Sequence, residues 1–207
     1  METKDYLNDI RDIKNMMAQS TQFISLSGLS GILAGIYALI GSYFAYGILS
    51  QLDSQPYENR YDSSTQEITI TLLLIALSII LLSIVTGVIL SAAKAKKKGE
   101  KLWNSTSKRV LINFGIPLIA GGIFALLLLQ KEYYGLMAPV TLLFYGMGCV
   151  NASKFTFRDV RYLGITLIIL GLLCTYYMDY GLLFWTTGFG FCHILYGSVM
   201  YFKYDRK

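Results

Sequence analysis

Six long apolar runs fill most of this sequence, and they narrow the folds open to the chain. Of its 207 residues, 54% are hydrophobic and 15% are charged, and the mean hydropathy is +0.49. One helical crossing of a bilayer needs about 20 apolar residues. The sequence therefore predicts an all-α integral membrane protein, with residues 21–207 forming one membrane domain. Six transmembrane helices are expected at about residues 21–49, 68–93, 110–130, 134–152, 160–177 and 181–202.

The basic segment Lys94–Arg109, between the second and third runs, predicts the orientation. Basic residues beside membrane spans remain on the cytoplasmic side. Of the 18 Lys and Arg residues, only Arg60 and Lys131 fall in segments assigned to the outside. Both termini are therefore predicted to be cytoplasmic, and a bacterial inner membrane is the expected location. Because the basic residues lie at span ends, the net charge of +5 favours lipid headgroups, not nucleic acid, as partner.

The first 20 residues have the pattern of an amphipathic helix, which we treat as a separate cytoplasmic element. Tyr6, Ile10, Ile13 and Met17 recur at steps of three and four residues, and charged side chains occupy the other faces. Such a helix lies in the headgroup layer or contacts another helix, and the sequence leaves both alternatives open.

Small residues recur in the spans and indicate close helix packing. Gly31 and Gly35 form a G-x-x-x-G pair, which permits close approach of a second helix. Residues 35–40, Gly-Ile-Tyr-Ala-Leu-Ile, resemble residues 122–127, Gly-Ile-Phe-Ala-Leu-Leu. We interpret this as three in-out-in hairpins, although Gly, Leu and Tyr recur in any membrane helix. The arrangement resembles, in pattern alone, small bacterial six-span proteins of the HdeD type.

His193 is the main candidate for a ligand-binding residue. It is the only histidine, and an ionisable group at membrane depth is a functional hypothesis by default. With Thr186, Asn113 and Asn151 it would form the polar lining of a carrier or channel. Alternatively, its imidazole hydrogen-bonds a Ser, Thr or Tyr of a neighbouring helix. No metal site or cofactor is predicted, because the three cysteines fall on different spans, which carry no Asp or Glu.

A weaker catalytic candidate is the pair Ser30 and His193. Residues 28–31, Gly-Leu-Ser-Gly, resemble the G-x-S-G pattern of rhomboid proteases, whose last core span carries a histidine. That resemblance implies a serine nucleophile activated by an imidazole. It departs from the family because Ser30 lies in the first predicted span, not the fourth.

The function predicted from these features is non-catalytic. We expect a multi-pass membrane protein that acts by association with lipid, with a membrane protein partner or with a second copy of itself. The alternative is a carrier or channel for a small solute or ion, with His193 in its lining. An intramembrane Ser–His hydrolase is the least favoured alternative.

Overall fold

A computed structural model describes Phe23, residues 25–53 and 64–97, Gly99 and residues 102–206. The described part is all-helical. Its first five long helices are α1 (Gly28–Asp53), α2 (Ser64–Lys97), α3 (Ser105–Gln130), α4 (Met137–Ala152) and α5 (Asp159–Tyr176). The predicted amphipathic helix of residues 1–20 lies outside the described residues and stays a prediction.

The last helical segment, α6, runs over residues 181–205 and changes its helical form along its length. It is α-helical at Gly181–Trp185 and His193–Met200, and π-helical at Thr186–Cys192 and Tyr201–Asp205. Short 3-10 turns at Tyr134–Leu136 and Met178–Tyr180 precede α4 and α6. Within the described ranges, six helical segments are long and apolar enough to cross a membrane, as the sequence predicts.

The start of α1 differs from the predicted start of the first span at Thr21. Helix α1 begins at Gly28, and the described residues before it are not helical. The backbone N–H of Phe23 instead donates to the carbonyl of Phe155 at 2.7 Å, and the carbonyl of Phe23 accepts from the Thr156 hydroxyl at 2.8 Å. These bonds tie the segment before α1 to the α4–α5 connection, so its backbone is satisfied without helix.

Both ends of the basic segment Lys94–Arg109 are helical, although it lies outside the predicted spans. Lys94, Lys96 and Lys97 belong to the last turn of α2, where cations favour the negative end of the helix dipole. Helix α3 begins at Ser105 with a capping box. The side chain of Asn104 accepts from the Ser107 amide, and the Ser107 hydroxyl accepts from the Asn104 amide, both at 2.8 Å.

Some helices that pack against each other are far apart in the sequence. Helix α4 packs most extensively on α5 and also on α3, while α1 packs on α2 and α6. The most enclosed apolar cluster lies between α4, α5 and α6, around Leu142, Leu163, Leu167 and Cys174. The helices of each predicted hairpin are in contact, but the in-out-in topology and a common repeat among the hairpins stay predictions.

Glycines lie where two helix backbones come closest. A Cβ added at Gly164 of α5 would lie 2.7 Å from the carbonyl oxygen of Gly146 in α4. Between α1 and α6, a Cβ at Gly35 would lie 2.7 Å from the carbonyl oxygen of Gly190. Real Cβ atoms do not approach a carbonyl this closely, so a side chain at either position would separate the helices.

Much of the surface of the spans is apolar and exposed. In the most apolar stretch of α2, 0% of the residues are buried inside the protein. Leu74, Leu77, Leu81, Val85 and Ile89 are each more than half exposed. A soluble monomer rarely exposes so large an apolar patch, whereas lipid chains cover such a surface at no cost. The described surface therefore matches an integral membrane protein.

Replacing Gly164 with alanine should destabilise the bundle, because the new methyl group would meet the backbone of α4. We expect a loss of about 1–3 kcal/mol in the free energy of unfolding. Gly47→Ala in α1 is the matched control, since nothing lies within 4 Å of a Cβ at that position. It should be neutral or slightly stabilising, because alanine favours helix over glycine. Unfolding in mixed micelles measures both, and equal effects would contradict the proposed close contact.

Candidate functional site

The imidazole of His193 lies inside the bundle, directly after the π-helical segment Thr186–Cys192. The residue is 5% exposed. Its Nδ1 lies 3.0 Å from the carbonyl oxygen of Gly188, five residues earlier, and its Nε2 lies 3.0 Å from the Tyr145 hydroxyl on α4. Both ring nitrogens therefore have partners from the chain itself.

These two partners fix the tautomer of a neutral imidazole. A carbonyl oxygen only accepts, so Nδ1 must carry the proton and donate it to Gly188. Nε2 is then unprotonated and accepts from the hydroxyl of Tyr145. The structure thus contains the hydrogen bond to a neighbouring hydroxyl that the sequence left open as the structural alternative for His193.

Aromatic rings surround this hydrogen-bonded pair. The Tyr145 ring meets Phe114 of α3 edge to face at a centroid distance of 5.4 Å, and Phe189 of α6 at 5.1 Å. Phe189 also stacks on the imidazole of His193 at 5.7 Å. Ring contacts of this kind are typical of packed cores, and here they join α3, α4 and α6 around the histidine.

The other predicted ligand-binding residues bond within their own helices. The hydroxyl of Thr186 donates to the Leu182 carbonyl at 2.7 Å, and the side-chain amide of Asn113 donates to the Arg109 carbonyl at 2.8 Å. Asn151 is half-buried near the end of α4. No described hydrogen bond joins any of these three side chains to His193, and their role as a polar lining stays a prediction.

Ser30 and His193 are each paired elsewhere. The Ser30 hydroxyl donates to the carbonyl of Ser27 at 2.6 Å. The imidazole nitrogens contact Gly188 and Tyr145. A serine nucleophile needs a base within hydrogen-bond reach, so the described arrangement does not support the hydrolase alternative.

A second polar cluster surrounds Asp205, at the end of α6, and we call it the Asp205 cluster. One carboxylate oxygen forms an ion pair with Lys94 at the end of α2. The other oxygen accepts from the backbone N–H of Gly28 at 2.8 Å and from the Ser27 hydroxyl at 3.1 Å. The carboxylate therefore caps the first turn of α1 from a distant part of the chain, where the helix dipole favours negative charge.

The Asp205 cluster is mostly shielded from solvent. The side chains of Lys94 and Asp205 are 12% and 11% exposed. The Lys94 ammonium also donates to the Leu26 carbonyl at 2.7 Å and lies 5.1 Å from the ring centre of Phe157. Three kinds of partner thus compensate the desolvation of this cation: a carboxylate, a carbonyl and an aromatic face.

A neighbouring set of contacts extends the cluster to α5. Phe157 stacks on Tyr204 at a centroid distance of 4.0 Å, and the Tyr204 hydroxyl donates to Asp159 at 2.7 Å. Lys203 pairs with the same carboxylate at 3.1 Å. Together, these contacts join the start of α1, the end of α2, the α4–α5 connection and the end of α6.

The Asp205 cluster is not among the sites predicted from the sequence. There, Lys94 indicates only topology and Asp205 has no predicted role. The available signal was a single acidic residue within the basic stretch Lys203–Lys207, which raises the question of its partner. That the partner is Lys94, 111 residues earlier, follows only from the fold.

Comparison with known proteins gives no relative from which a function could be inferred. No protein-family model, no curated protein and no solved structure matches this chain.

Tyr145→Phe should destabilise the protein, because Nε2 of His193 would lose its donor in a buried environment. We expect a loss of about 1–2 kcal/mol. Tyr176→Phe is the control, since Tyr176 is 81% exposed and its hydroxyl can reach solvent or headgroups. Unfolding titrations in micelles measure both variants. Equal stability of Tyr145→Phe and wild type would mean that the His193–Tyr145 bond contributes nothing.

Asp205→Asn should leave the shielded Lys94 ammonium without its counter-ion. Removing one partner of a buried ion pair costs on the order of 3 kcal/mol. Asp179→Asn, in the exposed turn before α6, is the charge-matched control and should have little effect. The double variant Lys94→Met with Asp205→Leu should recover much of the loss, because no unpaired charge remains. A double variant no better than Asp205→Asn would contradict the ion-pair explanation.

Proposed function

We propose that this chain is a multi-pass membrane protein that acts without catalysis, by association with lipid, with a membrane protein partner or with a second copy of itself. The observation that carries this proposal is a closed bundle centre, by which we mean that the imidazole of His193 is buried and hydrogen-bonded within the chain. His193 is the buried ionisable residue that a carrier or enzyme would use, and its own chain already occupies both of its nitrogens.

The exposed surface supports association as the mode of action. Helix α2 places one edge against α1 and leaves the rest of its apolar surface free of the described chain. Gly87 of α2, and Gly115 and Gly122 of α3, have nothing within 4 Å of an added Cβ. Small residues on a membrane helix permit another helix to pack closely. These positions would therefore accept a helix from a partner or from a second copy.

The charges support an orientation with both termini in the cytoplasm. Lys94, Lys203 and the α4–α5 connection gather at one end of the bundle through the Asp205 cluster. Basic residues at one end of a bundle are typical of the cytoplasmic side. The bacterial inner membrane remains our expected location.

A carrier or channel is the second candidate function. One observation favours it: His193 directly follows the π-helical segment Thr186–Cys192, and π turns occur frequently at functional sites. A shift of α6 would free the imidazole from Gly188 and expose it to a transport pathway. In this case the closed centre is one conformational state of a transport cycle.

Labelling of Cys149 with a small hydrophilic thiol reagent distinguishes the two functions. Cys149 is 3% exposed and lies one helical turn from Tyr145. In a variant with Cys174 and Cys192 changed to alanine, a permanently closed centre predicts no labelling of Cys149. Lys154→Cys, placed on an exposed position of the same background in which Cys149 is also alanine, is the control and should be labelled fully. Labelling of Cys149 in intact membranes would favour the carrier.

Native mass spectrometry from mild detergent tests association directly, with wild type and His193→Ala compared. Association predicts an oligomer, a partner or retained lipid in both samples, because His193 does not contribute to the exposed faces. A bare monomer would overturn the proposal. A small molecule retained by wild type and lost from His193→Ala would make His193 a ligand-binding residue and favour the carrier.

A further inference from the structure

We propose that Arg158 and Arg161 bind the phosphate of an anionic phospholipid headgroup. The two residues line a surface depression together with Tyr162 and Ile165, at the start of α5. This inference rests on the proposed function in one respect, that the chain lies in a bilayer. It adds a defined site and a ligand class to it.

The four lining residues lie on one face of the chain. Their spacing of three, four and seven residues from Arg158 places them on the same side of a helical segment. All four are exposed. Both arginine side chains therefore line the same depression at the start of α5, together with an aromatic and an aliphatic side chain.

Neither guanidinium has a partner in the described part of the chain. Among the described residues, no side-chain hydrogen bond or ion pair is formed by Arg158 or Arg161, whose one shared bond is between their backbones. The nearest acid in sequence is Asp159, and its carboxylate already accepts from Lys203 at 3.1 Å and from Tyr204 at 2.7 Å. The fold thus neutralises Asp159 with other groups, and no carboxylate of the described ranges pairs with the two arginines.

The geometry of arginine suits a phosphate group. Each guanidinium presents several N–H donors in a planar fork, which forms paired hydrogen bonds with phosphate oxygens. Two such forks, one helical turn apart, can contact different oxygens of one phosphate. Lysine ammonium groups, which act as point charges, lack this match.

The surface of α5 that follows the two arginines is apolar and suits contact with the acyl chain of a lipid. Ile165, Ile169 and Leu172 continue the face of the depression along α5, and they are 40%, 52% and 59% exposed. Tyr162, between the arginines and this apolar stripe, is of the residue type enriched at membrane–water interfaces. Along this helix face the residues are first basic, then aromatic, then apolar, which matches the headgroup, glycerol region and acyl chain of a phospholipid. Free phosphate would contact only the arginines.

The test uses the full chain in nanodiscs that contain phosphatidylcholine and phosphatidylglycerol, followed by native mass spectrometry of the lipid retained per protein. The test variant is Arg158→Gln with Arg161→Gln. The matched control is Lys96→Gln with Lys97→Gln, which removes the same charge from exposed positions at the same end of the bundle. Circular dichroism and thermal unfolding check that each variant is folded.

We expect the arginine variant to retain roughly tenfold less phosphatidylglycerol than wild type, with phosphatidylcholine unchanged. The lysine variant should lose no more than about twofold. Equal losses in both variants would reduce the effect to general surface charge and overturn the site. Unchanged retention in the arginine variant would overturn it as well.

Two further measurements complete the test. Arg158→Lys with Arg161→Lys keeps the charge and the fold but removes the planar forks, so intermediate retention is expected; if the glutamine variant does not fold, wild-type retention in this lysine variant overturns the site. Inorganic phosphate should not displace the retained lipid. Displacement at equal concentration would assign the site to free phosphate. Because nanodisc insertion is scored separately, loss of this site leaves the membrane assignment intact.

Discussion

The ion pair between Asp205 and Lys94 is the contact on which the arrangement of the helix ends depends. One carboxylate joins the last turn of α6 to the first turn of α1 and the last turn of α2. A charge this shielded is stable only if its partners are complete, so the three helix ends must meet in one geometry. The stack of Phe157 on Tyr204 then fixes the α4–α5 connection beside them. Apolar packing in lipid has no comparable directional preference.

The sequence predicted the positions of the six helices well and most of their ends within a few residues, with the largest difference at the start of α1. Hydropathy detects where a helix is apolar enough to be surrounded by lipid, and all six such helices of the described ranges follow from it. The start of α1 at Gly28 depends instead on hydrogen bonds to Phe155 and Asp205, which are distant in sequence. Lys94, at the end of α2, likewise finds its carboxylate partner far along the chain. Local patterns carry no information on such partners.

The candidate site, too, was predicted only in part from the sequence. His193 stood out in the sequence, since it is the single histidine and lies in an apolar run. Its two partners could not be assigned, because Tyr145 is one of 16 tyrosines and the Gly188 carbonyl belongs to the backbone. The π-helical form of Thr186–Cys192 likewise leaves no mark in the sequence that periodicity could detect. Residues of distinctive chemistry can be found from sequence, whereas their geometry comes from packing.

The cap on α1 has a consequence for the order in which the protein is made. The backbone N–H of Gly28 donates its hydrogen bond to a carboxylate 177 residues later in the chain. Ribosomes add roughly 5–20 residues per second, so Asp205 is added on the order of ten seconds after Gly28. During that interval the N–H group of Gly28 must bond to water or to another group, and Lys94 lacks its counter-ion. Synthesis of the end of α6 therefore completes the start of α1 and the end of α2 in one late step.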